Sequence, residues 1–110
     1  MWLFTPTGFL SIVADKNHPG HALVRARLLE DLEAFCERTG APAPLETPER
    51  DYRFRTRVPF AVLAADLAHQ AAGIDYPNSK DEVAARQGND RARRYGRIWS
   101  VLNDLQEHSS

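Results

Sequence analysis

The chain has 110 residues, a formal net charge of -1, 43% hydrophobic and 26% charged residues. That suffices for a domain on one core and is too apolar and too balanced for a disordered chain; no apolar run reaches the roughly 18 to 20 residues of a membrane span. A single cysteine, Cys36, excludes a disulfide scaffold and a cysteine-rich zinc site, and it suits a reduced, cytoplasmic setting.

The opening Met1-Trp2-Leu3-Phe4-Thr5-Pro6 lacks a basic segment and is broken at Pro6, so no signal peptide is expected there. Trp2 to Thr5 and Phe9 to Ala14 are short aromatic and β-branched stretches around Pro6-Thr7-Gly8, the pattern of a β-hairpin. Asp15 to Gly20 reads as a loop. His21 to Arg27 reads as a third strand, with Val24 and Ala26 on one face and Leu23, Arg25 and Arg27 on the other. Leu28 to Arg38 changes to the helical period, with Leu28, Leu29, Leu32, Phe35 and Cys36 on one stripe and Gly40 as terminator. Ala41 to Glu49 is a proline-rich loop with room for a short edge strand near Leu45.

Asp51 to Val58 alternates cleanly. Tyr52, Phe54, Thr56 and Val58 are expected on one face, and Arg53, Arg55 and Arg57 on the other. Pro59 suits the first position of the next helix, Phe60 to Ala72. Ser79 with Glu82 reads as a capping box for a short helix to about Arg86. Asn89 or Asp90 is placed to cap a last helix to about Gln106, striped by Tyr95, Ile98, Trp99, Leu102 and Leu105. The polar end, Glu107 to Ser110, is expected to fray. The order β-β-β-α-β-α-α specifies an α+β two-layer sandwich in a single globular domain over residues 1–110. Its antiparallel sheet has about four strands, with helices on one face.

Familiar catalytic signatures and cofactor-binding loops are absent from the sequence, so no catalytic residue, metal ligand or cofactor is assigned. His18 and His21 could join Asp15 on a metal; a Pro-Gly turn between them favours a plain exposed loop. Asp51-Tyr52 and Asp75-Tyr76 could do acid–base work, although each Asp also suits a backbone-capping role. Cys36 lies on an apolar stripe and reads as a structural thiol.

The arginines are the main lead. Twelve of the fourteen basic residues are arginine, Lys16 and Lys80 being the exceptions. Arg25, Arg27, Arg53, Arg55 and Arg57 fall on predictable strand faces, and together they could hold phosphates or an acidic partner. Arg91, Arg93, Arg94 and Arg97 open the last helix, where positive charge opposes the helix dipole. A solvated face neutralised by the fifteen acidic residues is the competing reading. Trp2 and Phe4 alternate with Leu3, so the first strand is apolar on both faces. Either it is covered, or one face is an association surface through which a homodimer could form.

The chain resembles a family of small bacterial proteins with no assigned activity. The resemblance rests on Met1-Trp2 with Gly8-Phe9-Leu10-Ser11-Ile12-Val13, Leu23-Val24-Arg25-Ala26-Arg27, Asp51-Tyr52-Arg53-Phe54-Arg55, Ile74-Asp75-Tyr76 with Asn78 and Lys80, and Tyr95 with Trp99. It implies a bacterial, cytoplasmic, single-domain protein. The family pattern has an aromatic after Asn78; this chain has Ser79, which removes an apolar anchor there. Three functions follow as expectations. The first is a non-catalytic module binding a protein partner or itself. The second is a nucleic-acid-binding or regulatory protein using the five sheet arginines. The third is a small enzyme using the Asp-Tyr pairs. No membrane association is expected.

Overall fold

The computed structural model describes residues 1–108; Ser109 and Ser110, the end of the tail expected to fray, lie outside the described residues. The described residues form β1 (Trp2–Thr5), β2 (Gly8–Ala14), β3 (His21–Ala26), α1 (Leu29–Thr39), β4 (Leu45–Glu46), β5 (Phe54–Pro59), α2 (Phe60–Ala72), α3 (Ser79–Gln87) and α4 (Asn89–Glu107). The class is α+β, as the sequence predicts. The described sheet has five strands rather than four, in the order β1-β2-β3-β5-β4, because the short edge strand at Leu45 does form.

These elements fall into two compact units, residues 1–4 with 8–75, and residues 5–7 with the chain from Tyr76 onward. In the first unit the sheet buries one face under α1 and α2. Leu10 and Ile12 of β2, Ala22, Val24 and Ala26 of β3 and Val58 of β5 meet Leu32 and Phe35 of α1 and Leu63 of α2. Period two along each strand delivers these residues to one side, and the small alanines of β3 let α1 lie close. Gly40, at φ 72, closes α1 by donating its N–H to the Cys36 carbonyl, the left-handed cap that glycine allows. A buried carboxylate ties α1 to α2. Arg38 donates Nε and Nη2 to the two oxygens of Asp66 at 2.9 and 3.1 Å, and Gln70 donates to the same group at 2.9 Å.

The hairpin is locked to α1 by a close approach. The Phe9 N–H donates to Asp31 of α1 at 3.0 Å. Gly8, at φ 146, lies so near that a Cβ there would sit 2.7 Å from the Asp31 Cγ. Only glycine combines that backbone conformation with that clearance.

Several local expectations are corrected. Tyr52 does not share the core face with Phe54, Thr56 and Val58. Residues 51–53 form a bend and β5 starts only at Phe54, so the period-two rule does not extend to Tyr52. Pro59 ends β5 and stands at the N-cap of α2, one position before the first helical residue. The cap of α3 is Asn78, whose Oδ1 accepts from the N–H groups of Lys80 and Asp81 at 2.9 and 3.3 Å, so Ser79 is already inside the helix. α4 begins at Asn89 behind Gly88, with no side-chain cap.

In the second unit α3 packs on α4, and Val83 of α3 and Ala92 of α4 are buried. Gln87 donates its amide N–H groups to the carbonyls of Thr5 and Pro6. The basic start of α4 is offset from within. Asp90 takes Arg94 at 3.0 Å and Arg93 at 3.8 Å. The Arg94 hydrogen bond, and then the charges of Arg94, Arg93 and Arg97, hold its carboxyl below the ordinary value. The α4 stripe is not core. Trp99 is 67% exposed and Leu102 57% exposed.

Gly8→Ala should destabilise the fold by about 1–3 kcal/mol, because the methyl group must displace Asp31 and the backbone is strained at that φ. Urea unfolding of the two proteins measures the difference.

Candidate binding face

The sheet face opposite the core carries the arginines, and its geometry follows from register. β2 pairs with β3 so that Ser11 faces Arg25 and Val13 faces Leu23. β3 pairs with β5 so that Arg25 faces Arg55 and Leu23 faces Arg57. β4 adds Leu45 opposite Arg55. One row across the sheet therefore reads Ser11, Arg25, Arg55, Leu45. Arg27 lies just beyond the end of β3 and Arg53 just before β5, so they flank this row rather than belong to it.

Arg25, Arg55 and Arg57 share a face by register, and the five sequence-assigned arginines differ in what holds them. Arg27 donates from Nη1 to the carbonyl and to the side chain of Asp51, both at 3.2 Å. Arg53 bridges to Glu46 at 2.6 Å. Arg57 bridges to Asp15 at 2.6 Å. Arg25 and Arg55, directly opposite each other, have no carboxylate partner among the described residues. Arg25 donates from Nη2 to the buried Ser11 hydroxyl at 2.7 Å, and its buried Nε has no partner. Among the described residues Arg55 donates to the Tyr52 carbonyl, at 3.4 Å. Burial lowers its pKa from the ordinary arginine value, and the charges of Arg50 and Arg25 push the same way, against Glu49 and Asp51. Like charges directly opposite on a sheet repel, and the centre of the face holds two guanidiniums with no ion-pair partner among the described residues.

Aromatic rings surround that centre. The Tyr52 ring is buried, with the Arg25 and Arg27 guanidiniums 4.7 and 4.3 Å from its centroid. Each such contact is worth about 0.5–1 kcal/mol or more when desolvated, which explains why Tyr52 turns to this face. Phe9 lies 6.4 Å from Tyr52, stacks on Phe4 at 4.4 Å and meets the edge of Trp2 at 6.3 Å. Trp2 is 69% exposed. The aromatic strip, Ser11 and the role of Tyr52 escaped the sequence reading. The alternation Phe9, Ser11, Val13 could have placed the first two. Nothing in the pattern could have placed Tyr52, because it lies in a bend.

The other candidates do not assemble. His18 Nδ1 lies 3.3 Å from Asp15, His21 Nδ1 lies 3.1 Å from the Pro19 carbonyl, and the rings are 6.4 Å apart. The Asp15 oxygen that His18 approaches is the one Arg57 holds. No cluster of three metal-ligating side chains occurs among the described residues. Asp51 is engaged by Arg27 and Tyr52 by two arginines, while Asp75 is exposed with no hydrogen bond among the described residues. The Cys36 thiol donates to the Pro42 carbonyl at 3.3 Å, and burial raises its pKa, the opposite of an activated nucleophile. No described helix is long and apolar enough to cross a membrane.

No protein-family model, curated protein or solved structure matches the chain. The functional reading therefore rests on the face itself.

The Arg57 hydrogen bond, the largest cause, lowers the Asp15 pKa from 3.8 to about 2. A depressed folded-state value means the stabilising contribution is present above the unfolded value near 3.8 and is lost as pH falls through about 2. In Arg57→Ala the Asp15 carboxyl should titrate close to its ordinary value. NMR titration of the side-chain carboxyl resonance reads this directly.

Proposed function

We propose that this protein is a non-catalytic binding module of the bacterial cytoplasm whose open sheet face takes an acidic segment of a partner protein. The observation that carries this reading is the Arg25–Arg55 pair, central on the face and without a carboxylate. Facing positions on antiparallel strands lie about 4.5–5.5 Å apart at Cα, so two guanidinium forks can grip one or two carboxylates in bidentate fashion. The adjoining Trp2, Phe4 and Phe9 offer apolar surface for the neighbouring side chains of such a segment. The lone cysteine suits a reducing compartment.

A second reading, binding of single-stranded nucleic acid, draws on the exposed Trp2 ring beside cationic groups, a stacking platform of the kind that takes bases. Three of the five arginines are already neutralised and the net charge is -1. The long-range attraction that a polyanion needs is therefore weak, and a short acidic peptide fits better.

Calorimetric titration of the whole chain at low salt with a Glu-rich peptide containing aromatic residues should show binding that weakens as salt rises. The double variant Arg25→Ser with Arg55→Thr should lose about tenfold or more in affinity. Its stability should stay within about 1 kcal/mol of the wild type, because relief of the repulsive pair offsets the lost Arg25 contact with the Tyr52 ring. A single-stranded oligonucleotide that binds where the peptide does not would transfer the assignment to the second reading. No heat with either ligand would refute both.

A further inference from the structure

The arginine pair also specifies which kind of acid the sheet face takes, an inference that rests on the binding role proposed above. Arg25 and Arg55 converge on one residue. The Arg25 guanidinium carbon lies 4.7 Å from the centroid of the Tyr52 ring, and the Arg55 Nε lies 3.4 Å from the Tyr52 carbonyl. Both arginines are half-buried, so water screens them less than it screens the rim. Arg25 uses Nη2 on Ser11; its Nη1, and both terminal nitrogens of Arg55, have no acceptor among the described residues. Burial first, then the charges of Arg50 and Arg25, lower the Arg55 pKa, so the two guanidiniums lie within electrostatic reach of each other.

Two adjoining cations call for two negative charges in one place. A single carboxylate leaves one guanidinium unneutralised, and two carboxylates brought together repel each other. A phosphate monoester carries a charge of about −1.5 to −2 at neutral pH on three acceptor oxygens. Its tetrahedral shape lets two forks take different oxygens. Register locates the rest of the ligand. Met1 and Ile12 exchange both backbone hydrogen bonds, at 2.7 and 2.8 Å, which sets Trp2 opposite Ser11. The row across the sheet thus runs Trp2, Ser11, Arg25, Arg55, with an exposed indole at one end and the cations at the other. Phe9, two residues from Ser11 along β2, is the diagonal neighbour of Arg25, at about 7–8 Å and within reach of an aromatic side chain. A ring laid on Trp2 or Phe9 therefore carries an anion at its far end to the pair. Phosphoserine and phosphothreonine have no ring for the strip and keep the phosphoryl group close to their own backbone. We infer that the acidic segment presents a phosphorylated tyrosine, its ring on the Trp2–Phe9 strip and its phosphoryl group between Arg25 and Arg55.

Calorimetry of the full chain with three peptides tests this. They share one Glu-containing sequence and differ only at the central residue, which is phosphotyrosine, tyrosine or phosphoserine. The phosphotyrosine peptide should bind about tenfold tighter than the tyrosine peptide and about threefold tighter than the phosphoserine peptide. Trp2→Ala should erase the second difference, with an unchanged circular dichroism spectrum because Trp2 is exposed. Arg25→Lys with Arg55→Lys keeps both charges but replaces each fork by a single ammonium, and it should shrink the first difference to about threefold or less. Equal binding of the phosphotyrosine and tyrosine peptides would overturn the inference and leave the acidic-segment reading in place. So would a phosphoserine peptide that binds as tightly as the phosphotyrosine one. Absence of binding by all three peptides would remove both readings together.

Discussion

The antiparallel register between β3 and β5 governs both sides of the sheet. It places Val24 beside Thr56 and Ala22 beside Val58 under the helices, and in the same stroke it places Arg25 beside Arg55 on the other face. Because side chains alternate with a period of two, neither row can move without the other. The hydrophobic row is what specifies the pairing: Val24, Ala22 and Val58 are almost wholly buried, and a slip by one residue would send arginines into the core. The burial of a few small apolar groups therefore holds two like charges together that would separate if free.

Around that pair the charges divide into periphery and centre. Arg27, Arg53 and Arg57 each have a carboxylate close in the fold, from Asp51, Glu46 and Asp15. Such exposed pairs contribute little stability. Their larger consequence is positional, since they neutralise Arg27, Arg53 and Arg57 and leave Arg25 and Arg55 without an ion-pair partner among the described residues. Tyr52 joins the two zones. Its ring takes Arg25 and Arg27, and its carbonyl accepts from Arg55, so one bend residue orients three of the five guanidiniums.

Much of the fold was legible because it is periodic. The alternation in β3 and β5 gave Arg25 and Arg55 a face each on their own strands, the pairing that joins those faces coming from the fold, and the Gly40 terminator and the room for an edge strand at Leu45 were visible from single residues with definite backbone preferences. What escaped depended on distant contacts. Tyr52 followed two guanidiniums rather than the alternation of β5. Asn78 displaced Ser79 as cap because it reaches two N–H groups at once. The division of the arginines into paired and unpaired could not be read at all, since Asp15, Glu46 and Asp51 reach them only through the folded geometry. The α4 stripe was visible as a pattern, but periodicity cannot say whether a stripe is covered.

The two tryptophans of the chain are distributed to optical advantage. Trp2 lies at the outer end of the aromatic strip on the sheet face, and Trp99 lies on the exposed stripe of α4, both largely exposed. Each surface thus carries its own intrinsic fluorophore, starting from a wet environment whose emission shifts blue when covered. Events at the sheet face and at the helix become separate spectroscopic readings, and conservative replacement of either indole by Phe leaves the other as a reporter of one surface alone.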